Sequence, residues 1–234
     1  MKKHSSEDMK TPGQFAVLTL LIGTCFAQTQ TMCNHNVCME TANLEIENNK
    51  VTIGVALPTV ESGLNEFLMN ASVPLPYGFL SIQMGPNEVQ MCDFSITEPL
   101  PLPTPAPPNH HHNHFKMNTS DLRSQACTES DGSLLTNPML ANTTISSKSA
   151  LLGDHLQIVS RINSTLFGVQ DLFSTSSESS VIRVTISKSA PLYLDSSKMT
   201  ALLDLSNSSS QSFNFNHSAG TFENYTAMVD ELGV

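Results

Sequence analysis

The chain has 234 residues, of which 39% are hydrophobic and 14% charged, with no tryptophan and a formal charge of −10 at pH 7. Such acidity, with no clustered basic stretch to offset it, repels phosphate backbones and anionic membranes and excludes an ordinary nucleic-acid-binding role. The length suits one domain with a sizeable core.

Lys2, Lys3 and Lys10 precede an apolar run, Phe15 to Ile22, that closes on Thr24-Cys25-Phe26-Ala27. A basic start, a short apolar middle and a small residue at the cut read as a secretory signal peptide over residues 1–27. The run falls short of the roughly 20 apolar residues that a membrane span needs, and no later segment reaches that length. A soluble extracellular product without a membrane span is expected. Asn70, Asn118, Asn142, Asn163, Asn207, Asn216 and Asn224 each open an Asn-x-Ser/Thr sequon, in keeping with a eukaryotic glycoprotein.

Beyond the leader remain Cys33, Cys38, Cys92 and Cys127. An even count in an oxidising compartment favours two disulfides over a metal site with His35. Four cysteines allow three pairings, and Cys33–Cys38 with Cys92–Cys127 are the pairs nearest in sequence.

Residues 28–97 read as the first half of a sandwich. Leu44 and Ile46, then Val51, Ile53, Val55 and Leu57, alternate on either side of Asn48-Asn49 as in a hairpin, and Pro58 ends the second strand. Phe67–Val73 is a further strand. Leu80, Ile82 and Met84 share one face of the next, which stops at Gly85-Pro86. Val89–Ile96 follows, with Gln90, Cys92, Phe94 and Ile96 on one side.

Residues 98–150 read as an insertion or loop. Glu98–Ser120 has proline at alternate positions and then Asn109-His-His-His-Asn-His114, so it is expected to be exposed, disordered and PPII-like. Histidines from His110 to His114 have no fixed metal geometry there and read as a solvated tract. Ser120–Lys148 is polar and poorly patterned, and is expected to be more loop, pinned by Cys127.

Residues 151–234 read as the second half. Leu156, Ile158 and Ile162 share a parity, and Ile182, Val184 and Ile186 alternate with Val181, Arg183 and Thr185. Ser197–Leu205 fits a short helix or a strand. Phe213 and Phe215 alternate as in a half-buried strand that bends at Gly220, with His217 at its end. Tyr225–Leu232 is a short helix or tail. Several short strands separated by turn signals point to an all-β fold, an antiparallel immunoglobulin-like β-sandwich. A hydrolase has little support: Asp154-His155 reads as a turn, and neither Gly-x-Ser-x-Gly nor His-Glu-x-x-His occurs.

Three places in this order carry a family resemblance: Lys50-Val-Thr-Ile-Gly-Val-Ala-Leu-Pro58; Tyr77-Gly-Phe-Leu-Ser-Ile-Gln-Met-Gly85; and Gly168–Val184 with Ser189-Ala-Pro-Leu and His217-Ser-Ala-Gly-Thr-Phe222. Together they resemble the haem-binding cytochrome domain of fungal cellobiose dehydrogenase and its relatives in the DOMON superfamily, across most of residues 50–228 apart from the proline/histidine insertion. The resemblance implies a β-sandwich holding haem b between Met84 and His217 as axial iron ligands, with Met91 a rival for Met84. It also implies that Leu80, Ile82, Phe213, Phe215 and Phe222 wall the porphyrin and that Tyr77 lies at its rim. Thioether and imidazole suit low-spin iron, and the thioether raises the potential.

Two functions follow from different classes. In the first, the resemblance implies a secreted electron-transfer module rather than a stand-alone catalyst. It would take one electron from a separate flavoenzyme, since no Gly-x-Gly-x-x-Gly stretch is present, and pass it to a copper oxygenase or ferric iron. In the second, a haemless glycoprotein sandwich binds carbohydrate or a cell-surface partner, although a chain without tryptophan offers few stacking platforms for sugars.

Overall fold

The computed structural model describes residues 27–76, 78–84, 89–95, 122–137, 143–163, 178–195 and 200–234. Residues 1–26 of the expected 1–27 leader, Tyr77, Ile96, the Pro/His tract, Met199, and the sequons at Asn118 and Asn142 lie outside the described residues.

Alternation in the sequence becomes strand almost everywhere it was read. The first sheet runs β1 (Thr29–Asn34), β2 (Val37–Ile46), β3 (Asn49–Pro58), β4 (Glu66–Pro74), β11 (His155–Asn163) and β10 (Ala150–Leu152). Two short strands join it: β9 (Thr143–Ile145) beside β11, and β16 (Thr221–Phe222) parallel to the far end of β3. The second sheet runs β13 (Leu192–Asp195), β14 (Thr200–Asp204), β8 (Ser133–Asn137), β7 (Leu122–Ser130), β6 (Val89–Ser95), β5 (Phe79–Met84), β12 (Ser179–Ser187) and β15 (Ser208–Asn216). The α-helix α1 (Tyr225–Leu232) follows and ends on Gly233 in the left-handed region.

The sheets pack face to face over one core. Val51, Ile53, Val55, Phe67, Met69 and Ile158 of the first meet Leu80, Ile82, Met84, Ile182, Phe213 and Phe215 of the second. Each of these sits on the parity that the sequence made apolar, since successive residues of a strand point to opposite faces. A second cluster lies on the outer side of the first sheet, where Met39, Ala56, Leu68 and Val159 pack under Tyr225, Met228, Val229 and Leu232 of α1. A third lies on the other face of the second sheet around Phe79, Cys92, Phe94, Leu134 and Leu203.

Both disulfides are present as the nearest pairs: Cys33–Cys38 directly across the β1–β2 hairpin, and Cys92–Cys127 between β6 and β7. Other expectations need correction. The β2–β3 turn is Glu47-Asn48, one residue earlier than Asn48-Asn49. Both turn residues have positive φ (51° and 62°), as a two-residue hairpin turn matched to strand twist requires. Ser120–Lys148 is not simply loop, for it contains β7, β8 and β9. The β7–β8 hairpin turns on Asp131-Gly132, again at positive φ. Ser197–Leu205 holds a strand, β14, because Ala201 and Leu203 are buried while Leu202 between them is not. Tyr225–Leu232 is a helix.

Candidate functional site

The site read from sequence falls at one end of the second sheet. β5 and β15 both pair antiparallel with β12, so they run parallel to each other. Register places Met84 beside Ile182 and Ile182 beside Phe213, a single row across three strands, with Ser180 and Phe215 forming the next row. Cross-strand neighbours share a face, and here it is the face turned to the core. Leu80 and Ile82 continue inward from Met84, opposite Ile186 and Val184. Met91 stands opposite Ile82, one row deeper than Met84.

His217 immediately follows the end of β15 and keeps the parity of Phe213 and Phe215. Its backbone N–H donates to Glu178 O at 3.1 Å, and Thr221 Oγ1 donates to its carbonyl at 2.7 Å. Nε2 of the ring lies 2.8 Å from Ser180 Oγ, and the ring centroid lies 5.8 Å from that of Phe215. Gly220 folds back over Phe215, where an added Cβ would stand 2.2 Å from the ring carbon Cζ. The absence of a side chain at 220 is thus what lets the turn after His217 close against the aromatic ring.

Met84 and His217 therefore end parallel strands at the same end of the sheet and on the same core-facing side. Two interstrand spacings, across β12, and four residues separate them, or roughly 16 Å between Cα positions at ordinary strand spacing and rise. Imidazole and thioether are a donor pair that low-spin haem iron accepts, and the side chains between them, Ile182, Phe213 and Phe215, are apolar. The pair suits a haem in donor type, face and end of the sheet, but this separation is longer than a thioether–iron–imidazole line spans, so the His217 turn must move toward Met84 for both to reach one iron. Iron ligation through Nε2 requires the imidazole to leave Ser180.

Phe222 does not join this group: it lies in β16 against β3 and packs with the cluster under α1. Among the described residues no cluster of three His, Cys, Asp or Glu side chains is placed to hold a metal ion. His155 opens β11 just after the Gly153-Asp154 turn, so only Asp154 of the pair read as a turn lies in one; its Nδ1 is 2.8 Å from Asp154 Oδ1 and its Nε2 3.2 Å from Lys50 O.

Two residues near the site escaped the sequence reading. Ser180, the partner of His217, is legible only as a polar residue on the apolar parity of β12. Asp93 is the other. It stands between Leu80 and Ser124 on the core-facing side of β6, and burial raises its carboxyl to a pKa of about 7 against the opposing hydrogen bond from Ser124. Its signal was a carboxylate sharing the parity of Met91.

No protein-family model matches the sequence, and no curated protein matches it. Solved structures do. The cytochrome b domain of pyranose dehydrogenase from Coprinopsis cinerea superposes with a TM-score of 0.61 at 14% identity, covering 88% of this chain and 96% of that one. The cytochrome domain of Myriococcum thermophilum cellobiose dehydrogenase gives 0.57 at 14% identity, covering 87% and 96%. Along most of its length the chain has the fold of these cytochrome domains, far diverged from them in sequence.

Proposed function

We propose that this protein is a secreted haem b electron-transfer module in which His217 and Met84 are the axial ligands. The observation that carries the reading is that these two side chains, half the chain apart, end parallel strands on the core face of a cytochrome-type sandwich. Haem, when bound, supplies a one-electron iron couple. The chain supplies the rest. His217 gives Nε2, now held by Ser180. Met84 gives a thioether, which favours the reduced state. Leu80, Ile82, Phe213 and Phe215 form the apolar wall that keeps water away. A separate flavoenzyme would be the electron donor, and a copper oxygenase or ferric iron the acceptor.

The test is an absorption spectrum of the secreted protein, produced with haem supply, before and after dithionite. A Soret band that sharpens on reduction, with resolved α and β bands, is expected, and is lost in both Met84→Ala and His217→Ala. A flat spectrum from folded protein overturns the reading in favour of a haemless sandwich that binds carbohydrate or a cell-surface partner.

A further inference from the structure

The outer face of the first sheet is covered over only part of its area. α1 seals one part, and beside it lies a groove of about 310 Å³. Its floor is Met39, Thr41, Gly54 and Asn70, and its rim includes Met32 and Leu152, which are 50% and 57% exposed. That volume is at the small end of ligand pockets, which run to about 300–1,000 Å³.

Asn70 is an unusual place for a sequon. It stands in the middle of β4, paired with Gly54 of β3 on one side and Val159 of β11 on the other. Other described sequons lie elsewhere: Asn163 and Asn216 end their strands, Asn207 lies in the turn before β15, and Asn224 precedes α1. Asn224 also spends its Nδ2 on a hydrogen bond to Asn36 O at 3.0 Å. At Asn70 the amide is held the other way. Gln157 Nε2 donates to Oδ1 at 3.1 Å, leaving Nδ2, the atom that carries an N-linked sugar, on the arm away from Gln157. Across from it, Gly54 lets Met39 and Thr41 pack down onto the strand: a Cβ there would lie 3.1 Å from Met39 Sδ and 3.4 Å from Thr41 Oγ1. Ser72, the sequon hydroxyl, lines the same groove.

We propose that an N-linked glycan on Asn70 lies back in this groove and is its cover. The first N-acetylglucosamine lies along the groove beside Asn70, its acetyl methyl and apolar ring face against Met32 and Met39, its polar groups toward Thr41, Thr52 and Ser72. Sugars are well suited to such a surface because one ring presents both C–H faces and hydroxyls, matching a groove that mixes thioethers with hydroxyl side chains. The assignment rests on the secretory address. Attachment precedes folding, since a mid-strand asparagine is open to a transferase only before β3 and β11 pair with β4.

The experiment is glycopeptide mapping of protein secreted from a eukaryotic host, followed by native digestion with an endoglycosidase. Expected is an occupied Asn70 whose glycan is released several-fold more slowly than those at the strand-end and turn sequons, with the difference abolished by denaturation. Ser72→Ala, which removes the sequon but keeps Asn70, speeds peroxide oxidation of Met32, whereas Ser72→Thr, which keeps the sequon, does not. A bare Asn70 beside other occupied sequons overturns the proposal alone, as does release at equal rates. Protein with no glycan at any sequon overturns the secretory reading and the proposal with it.

Discussion

Asp93 puts a carboxyl group into the interface between the sheets, beside Leu80 and within the reach of Ser124. Its native pKa of about 7 exceeds the ordinary 3.8 because burial penalises the charged form. The unfolded chain therefore releases this proton first as pH rises. Stability from this group is full below pH 4 and falls through pH 7, by at most about 4 kcal/mol. Asp93→Asn should accordingly melt near wild type at pH 4 and above it at pH 8, a widening offset that calorimetry would detect; equal offsets at both pH values would refute it. Gly220→Ala forces a Cβ into the Phe215 ring and should cost roughly 1–3 kcal/mol in denaturant melts. Much at this scale was readable in advance: the parity of Leu80, Ile82, Met84, Phe213 and Phe215 did place them in the core. The Ser180–His217 contact was not, because its partners lie 37 residues apart and meet only once β12 and β15 fix their register.

Elements show what short-range pattern does and does not carry. α1 is anchored by Tyr225, whose hydroxyl is buried without a hydrogen-bond partner near the ion pair of Arg161 Nη2 and Glu66 Oε2 at 2.7 Å. Burial, then the negative charge of Glu66, pushes its phenol well above the usual range. Tyr225→Phe should thus be neutral or mildly stabilising, since it removes an unsatisfied polar atom and keeps the ring. Tyr225→Ala should cost about 3–5 kcal/mol. Thermal melts of the two variants separate the ring from its hydroxyl. The Cys92–Cys127 bridge closes 35 residues and Cys33–Cys38 only 5. Restriction of the unfolded chain then predicts losses of about 4 and about 2 kcal/mol for the two double alanine variants. The β7–β8 hairpin was missed although Asp131-Gly132 is a strong turn signal, because its flanks are polar on the face that Thr128 and Ser133 share. Burial of Leu122, Ala126 and Leu134 by tertiary packing outweighed that local pattern.

The whole molecule interleaves its two halves. β4 pairs with β11 in one sheet and β5 with β12 in the other, so each sheet is closed only by strands from both ends of the chain. Neither residues 28–97 nor 151–234 should fold when expressed alone, as dispersed amide spectra would show if they did. Pairings this distant in sequence also predict refolding in milliseconds to seconds rather than microseconds. Sequence pattern conveyed the strands but not their partners, which is why a sandwich was legible and its strand order was not. One covalent feature reaches across this architecture. Cys92 and Cys127 flank the proline- and histidine-rich tract, so the chain forms a closed ring there. A peptide bond cut anywhere inside that ring parts the backbone without parting the molecule: both pieces migrate together until a reductant is added, and evolution is free to rewrite, lengthen or process the tract while the sheets on either side stay tied.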